Sequence, residues 1–210
     1  MSDAPHTRPL SARWLHLLLA VLALGAIACG YIMSDTGWPG TGVIDRTSLY
    51  VAHKSMGLLM LPVVVMWALV MVRLVRAPRY SRQHSYSHSY RHFHRHPRLR
   101  AATAWVIWAV HAALLVVFMA VALTGWIGSS YGAYGQDVFG VVPFPDIAPR
   151  RDVEQSIRFY TAHRQLAQAA GWLLAVHVAG ALFHLLIVRD RVFQAMFALR
   201  LRAPQRRALR

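Results

Sequence analysis

Twelve histidines occur in 210 residues, and six lie in or at the edge of long uncharged stretches: His16, His53, His111, His163, His177 and His184. An ionisable side chain inside a membrane span is costly, and is by default a functional candidate. One such imidazole alone is ordinarily a neutral group bonded to a neighbouring helix, but several in one small chain point to ligation. His163 and His177 carry the informative spacing. At ~100° and ~1.5 Å per residue, fourteen residues leave the two rings about 40° apart on one helix face and about 21 Å apart along the axis. One helix then offers two ligands at two depths, as two stacked cofactors require. Each needs a second ligand from another helix at matching depth.

Depth suggests the partners. His53 follows Asp45, a good N-cap, by eight residues, so it lies near the start of its span, as His163 does. Gly57, one turn beyond His53 on the same face, leaves room for a flat ring. For His177, His16 and His111 compete. His177 is twelve residues before Arg189 and His111 eleven after Arg100, whereas His16 is only three after Arg13. Depth therefore favours His111, unless Arg13 snorkels or pairs with a carboxylate within the first span. Four neutral imidazoles in two facing pairs suit b-type haem. A zinc site needs ligands converging on one point, which the axial offset forbids. Iron with both axial positions filled binds no substrate directly and passes single electrons.

The elements that must hold these residues are four apolar blocks, each near or above the ~20 residues needed to cross a bilayer as helix. The predicted spans are about 12–33, 49–75, 101–128 and 159–189, in one membrane domain over 1–210. Pro62 is a kink that neighbouring helices can absorb. Composition fits this: 56% of residues are hydrophobic, and most charge lies between the blocks. Of 23 Lys and Arg, 17 fall in the N-terminal tail, the 76–100 loop with its flanks, and the C-terminal tail. The other six are Arg46, Lys54, Arg150, Arg151, Arg158 and Arg164. The positive-inside rule then places both termini and the 76–100 loop in the cytoplasm and the 129–158 loop in the periplasm. The expected fold is all-α, an integral membrane four-helix bundle. A net charge of +15 distributed this way implies contact with membrane lipid and argues against nucleic acid. Ala26-Ile27-Ala28-Cys29 matches a lipoprotein cleavage site only loosely, and the first span is long for a signal core. Cys29 reads as a packing residue.

Trp14-Leu15-His16 resembles the first haem-ligand motif of the prokaryotic cytochrome b561 family of di-haem membrane cytochromes. Asp45-Arg46 followed by His53 and Gly57 is similar to the second, and Leu123-Thr124-Gly125-Trp126 resembles the small-residue turn closing the third span. The run from His163 to Met196, with His177, His184 and Arg189-Asp190-Arg191, is the closest match. The resemblance covers most of the chain and implies a protein of the bacterial inner (cytoplasmic) membrane with two haem b. It implies that His16 and His177 bind the cytoplasmic-side haem and His53 and His163 the periplasmic one. Ubiquinone or a related quinone is the implied electron partner, with donors that vary. One activity of the family is oxidation of superoxide by ubiquinone. Two features depart from the pattern. The second span has no basic residue after Lys54 until Arg73, and the loop His84–His96, with five imidazoles in thirteen residues, has no recognised counterpart. That loop reads either as a nickel, zinc or copper site or as a solvated, partly cationic segment against anionic headgroups.

The leading expectation is therefore a di-haem carrier between a periplasmic-side donor and the quinone pool. A second is the cytochrome b anchor of a larger dehydrogenase or hydrogenase, with a redox partner protein outside. A metal transporter is the third, and it would need acidic or thiol groups within the spans, where only Cys29 occurs. Lys54, Arg158 and Arg164 flank the outer pair and suit steering of an anionic donor or pairing with propionates. His184, about two turns beyond His177 toward the cytoplasmic surface, suits proton exchange with a quinone. His111, if not a ligand, is left beside the inner pair as a second candidate for that quinone or proton site.

Overall fold

The structure, a computed structural model, describes residues 10–34, 45–76, 97–135 and 137–188. Four long helices account for most of them: α1 (Leu10–Ser34), α2 (Arg46–Arg76), α3 (Pro97–Gly132) and α4 (Val153–Phe183), the last continuing as a π-helical turn over His184–Val188. Within them, Ala12–Ser34, Arg46–Arg73, Trp105–Gly132 and Val153–Ile187 are long and apolar enough to cross a membrane.

Two of the helices, α2 and α4, begin where the sequence supplies a cap. Asp45 Oδ1 accepts the Ser48 N–H at 2.6 Å, which holds its carboxyl below the ordinary value and keeps the cap charged at neutral pH. Asp152 caps α4, its side chain accepting the Gln155 N–H at 3.1 Å, so α4 starts six residues before the expected 159. Pro62 lies inside α2 without ending it.

All four helices meet in one core. Leu19, Leu22 and Ala23 of α1 pack with Met60, Val63 and Trp67 of α2, Leu114 and Phe118 of α3 and Ala170 of α4. The outward surface is just as apolar, with Val21, Leu24, Val65, Met66, Val116 and Val176 all exposed. In water that surface would be a liability; in lipid it needs no cover, and what holds the helices together is packing of small and branched side chains.

Between α3 and α4 the chain forms a two-stranded hairpin, β1 (Asp137–Val138) and β2 (Val142–Pro143), with Val138 opposite Val142. Its turn places Phe139 (φ 52°) and Gly140 (φ 69°) in the left-handed region, which a tight hairpin turn requires. The hairpin lies against α2, because the Phe139 N–H donates to the fully buried Ser55 Oγ at 2.6 Å. The Trp126 indole N–H donates to the Pro145 carbonyl at 3.0 Å and ties the return strand to α3.

One expectation needs correcting. Leu123-Thr124-Gly125-Trp126 does not close the third span, since α3 runs on to Gly132. The Thr124 hydroxyl donates to the Ala120 carbonyl at 2.7 Å within an unbroken helix, and the chain leaves the helix at Ala133 (φ 55°). The expected loop 129–158 is accordingly shorter, from 133 to 152. The loop His84–His96 lies outside the described residues.

Candidate functional site

Two layers of imidazoles sit between the helices. In the first, His53 of α2 and His163 of α4 have ring centres 5.9 Å apart with planes at 83°. In the second, His16 of α1 and His177 of α4 are 6.1 Å apart with planes at 52°. Both layers draw one ring from α4, at the positions fourteen residues apart. An imidazole nitrogen bonds a metal at about 2 Å, with its ring centre roughly 1 Å further back, so two rings on opposite sides of one ion have centres roughly 6 Å apart. Both pairs have that spacing.

The protonation pattern in the first layer also suits ligation. His53 Nδ1 lies 2.8 Å from the Ala26 carbonyl of α1, and His163 Nδ1 lies 2.8 Å from the Val121 carbonyl of α3. A carbonyl only accepts, so each Nδ1 carries the proton and each neutral ring keeps a free lone pair on Nε2. Metal-binding histidines are ordinarily oriented in this way.

The second layer contains a third ring. His111 of α3 meets His177 edge-on, with centres 4.9 Å apart and planes at 90°. Its Nδ1 donates to the Ile107 carbonyl of its own helix at 2.7 Å. That contact is more than an ångström tighter than the His16–His177 spacing, and suits direct ring contact better than two rings straddling an ion. His16 also packs against Trp67, at 5.6 Å. One turn before His16, Arg13 has Nε and Nη2 buried without a hydrogen-bond partner among the described residues. A buried guanidinium left open is costly, and its fork matches a carboxylate. Haem b carries two carboxylates as propionates, so the residues present fit that group. Gly57 faces open space: a Cβ there would meet nothing within 4 Å.

The remaining candidates are spread more widely. The Lys54 ammonium donates to the Gly135 carbonyl at 2.6 Å and to the Tyr134 carbonyl at 3.3 Å, so this cation anchors the segment that leads into the hairpin. Arg158 forms an ion pair with Glu154 on the exposed side of α4. Arg164 is exposed. His184 is half-buried where the π-helical turn starts, edge-on to Phe183 at 6.1 Å. Among the described residues, no group of three or more His, Cys, Asp or Glu side chains is arranged to hold a metal ion. Sequence reasoning missed the carbonyls of Ala26 and Val121 and the hairpin anchor on Ser55. Neither has a side-chain signature, since the carbonyls belong to the backbone and Ser55 reads as an ordinary small residue in a span.

Apolar spans that bring imidazoles together in pairs define a class, membrane proteins that hold a metal cofactor between helices. The prokaryotic cytochrome b561 family profile matches residues 7–198, and the chain belongs to that family. It is a multi-pass bacterial membrane protein and a b-type cytochrome of electron transfer, with haem b as its cofactor. No curated protein matches the chain.

Proposed function

We propose that the protein holds two haem b, one between His53 and His163 and one between His16 and His177, and carries electrons across the membrane to a quinone. The observation that carries this reading is the stacking of two imidazole pairs, 5.9 and 6.1 Å between ring centres, along one helix. Haem b held by these histidine pairs would supply one-electron transfer. The chain's own residues do the rest. His53 and His163 keep their Nε2 lone pairs free through carbonyl-bound Nδ1 protons, Arg13 offers a carboxylate partner beside the inner pair, and the apolar helix walls exclude water. The charge distribution supports an orientation with the termini inside, the hairpin in the periplasm and the His53–His163 pair as the outer one. A pyridine haemochrome assay on the purified protein tests the reading: two haem b per chain are expected, and none would end it.

Superoxide is the proposed donor and ubiquinone the acceptor. Two superoxide ions yield two electrons and two O2, and a quinone takes two electrons with two protons to become quinol. Of the three candidate cations, Lys54 is bonded to carbonyls ahead of the hairpin and Arg158 is paired with Glu154, so the exposed Arg164 beside His163 is the one proposed to steer the donor. Reduction by superoxide should slow as ionic strength rises, and Arg164→Gln should slow it more than Lys54→Gln in stopped-flow mixing. A rate indifferent to salt and to Arg164 would leave steering without support.

His184 is the proposed proton partner of the quinone, from its place about two turns beyond His177 at the start of a π-helical turn. His184→Ala should keep both haems and slow their reoxidation by quinone on the order of 10²-fold, in the range of a lost general acid or base. Loss of a haem instead would make His184 structural.

A second reading is the anchor subunit of a larger oxidoreductase. The hairpin favours it by exposing Phe139, Val141 and Val142 at the outer end. A stoichiometric periplasmic redox subunit purifying with the chain would support it.

A further inference from the structure

We propose that Gly30 and Gly125 are the positioning residues of the outer pair, and that through them the outer haem is held at the lower potential of the two. The inference rests on the two-haem reading above. In a helix, the carbonyl of residue i points along the axis at the N–H of residue i+4. A ring from a neighbouring helix that shares this carbonyl must lie against the side chain of residue i+4. His53 shares the carbonyl of Ala26, and the residue four further on is Gly30. His163 shares the carbonyl of Val121, and the residue four further on is Gly125. The same device thus appears on two different helices, α1 and α3.

The space at both glycines is occupied by the imidazole itself. A Cβ at Gly30 would lie 3.0 Å from His53 Cε1 and 3.2 Å from its Nδ1. A Cβ at Gly125 would lie 3.0 Å from both Cε1 and Nδ1 of His163. Such contacts are tighter than side chains ordinarily make, so an alanine pushes the ring back by a few tenths of an ångström. A displacement of that size lengthens a 2.8 Å hydrogen bond toward its useful limit. No other described glycine meets an imidazole within 4 Å.

The consequence is electronic. Nδ1–H donation to a carbonyl makes Nε2 a more basic ligand. A more basic ligand favours ferric over ferrous iron, so two such bonds lower the midpoint of the outer haem. In the inner pair, His177 instead stands edge-on to the His111 ring. The resulting order of potentials favours electron movement from the outer to the inner site.

Redox titration of Gly30→Ala and Gly125→Ala, each with a haem count and low-temperature EPR of the ferric protein, tests the assignment. Each variant should keep two haems, raise the lower midpoint and shift one low-spin EPR signal, while the higher midpoint and the other signal stay put. The double variant should move further in the same direction. Loss of the outer haem alone would support the same placement in stronger form. Two retained haems with unmoved or jointly moved midpoints would overturn it. Should neither variant yield folded protein, redox-difference infrared spectroscopy of the unaltered protein with 13C-carbonyl alanine and valine replaces them. Labelled carbonyl bands that shift on reduction of the lower-potential haem support the proposal, and labelled bands that do not shift overturn it. Absence of haem from the unaltered protein would instead strike at the two-haem reading itself.

Discussion

His16→Ala should leave the protein with one haem per chain, and His111→Ala should keep both. The two rings both meet His177, but in different ways. His16 stands 6.1 Å from it, centre to centre, the spacing of two ligands across one iron, whereas His111 touches it edge-on at 4.9 Å. Arg13 Nε and Nη2, buried without a partner among the described residues, lie one turn from His16, where a haem carboxylate would satisfy them. In His111→Ala the ring beside His177 is lost while the proposed ligand pair remains, so the inner haem should stay with a shifted midpoint. Removing the five ring atoms of a half-buried imidazole should also cost ~1–3 kcal/mol of stability. Haem stoichiometry and a redox titration read both variants. The reverse pattern, with His111→Ala losing a haem and His16→Ala keeping two, would show that α3 supplies the ligand opposite His177.

The second large effect should come from His163→Ala. This variant is expected to lose the outer haem, keep the inner one, and lose nearly all reduction by a donor that cannot cross the membrane. His53→Ala should behave alike, because the two rings form one layer at 5.9 Å. With the outer site gone, a periplasmic electron would have to reach a site about 21 Å deeper along α4. A chemically reduced sample should still show one haem b in its optical spectrum, which separates loss of a site from collapse of the fold. Retention of two haems in either variant would remove His53 and His163 from the ligand set. Full donor-driven reduction with one haem would show that electrons do not enter at the outer layer.

Much of this architecture is legible in the chain. Four uncharged blocks of spanning length read as helices, because in lipid every backbone group must be bonded inside the protein and a continuous apolar run of that length does so within its own segment. The fourteen-residue spacing of His163 and His177 follows from helical geometry once α4 is a helix. Their stacking in two layers therefore needs only the sequence and the period. Asp45 and Asp152 are side chains with strong capping preference, though only Asp45 stood out. Apolarity alone marks the start of α4 six residues late, because the cap at Asp152 lies ahead of the apolar run. Small residues mark both turns and close contacts, so the sequence does not separate a turn at Gly125 from the close approach of the His163 ring found there.

What the tertiary structure decided is lateral. Counting depth from the first charge favoured His111 over His16 as the ring facing His177. Yet α1 already begins at Leu10, so Arg13 lies inside the helix and its charge does not mark the end. Both imidazoles reach His177, and their distances and angles, which tell a straddling pair from an edge contact, depend on how α1 and α3 pack against α4. Lys54 is a cation in the sequence, but only the fold brings the carbonyls of Tyr134 and Gly135, some eighty residues away, onto its ammonium. The same holds for the carbonyls of Ala26 and Val121. Every residue has a carbonyl, so composition and period say nothing about which one an imidazole from another helix will reach. The chain determined the helices and the levels of their histidines, because hydrophobicity and the helical repeat are local. Which groups meet across the helices was settled by close packing, where a single missing Cβ at Gly30 or Gly125 admits a ring.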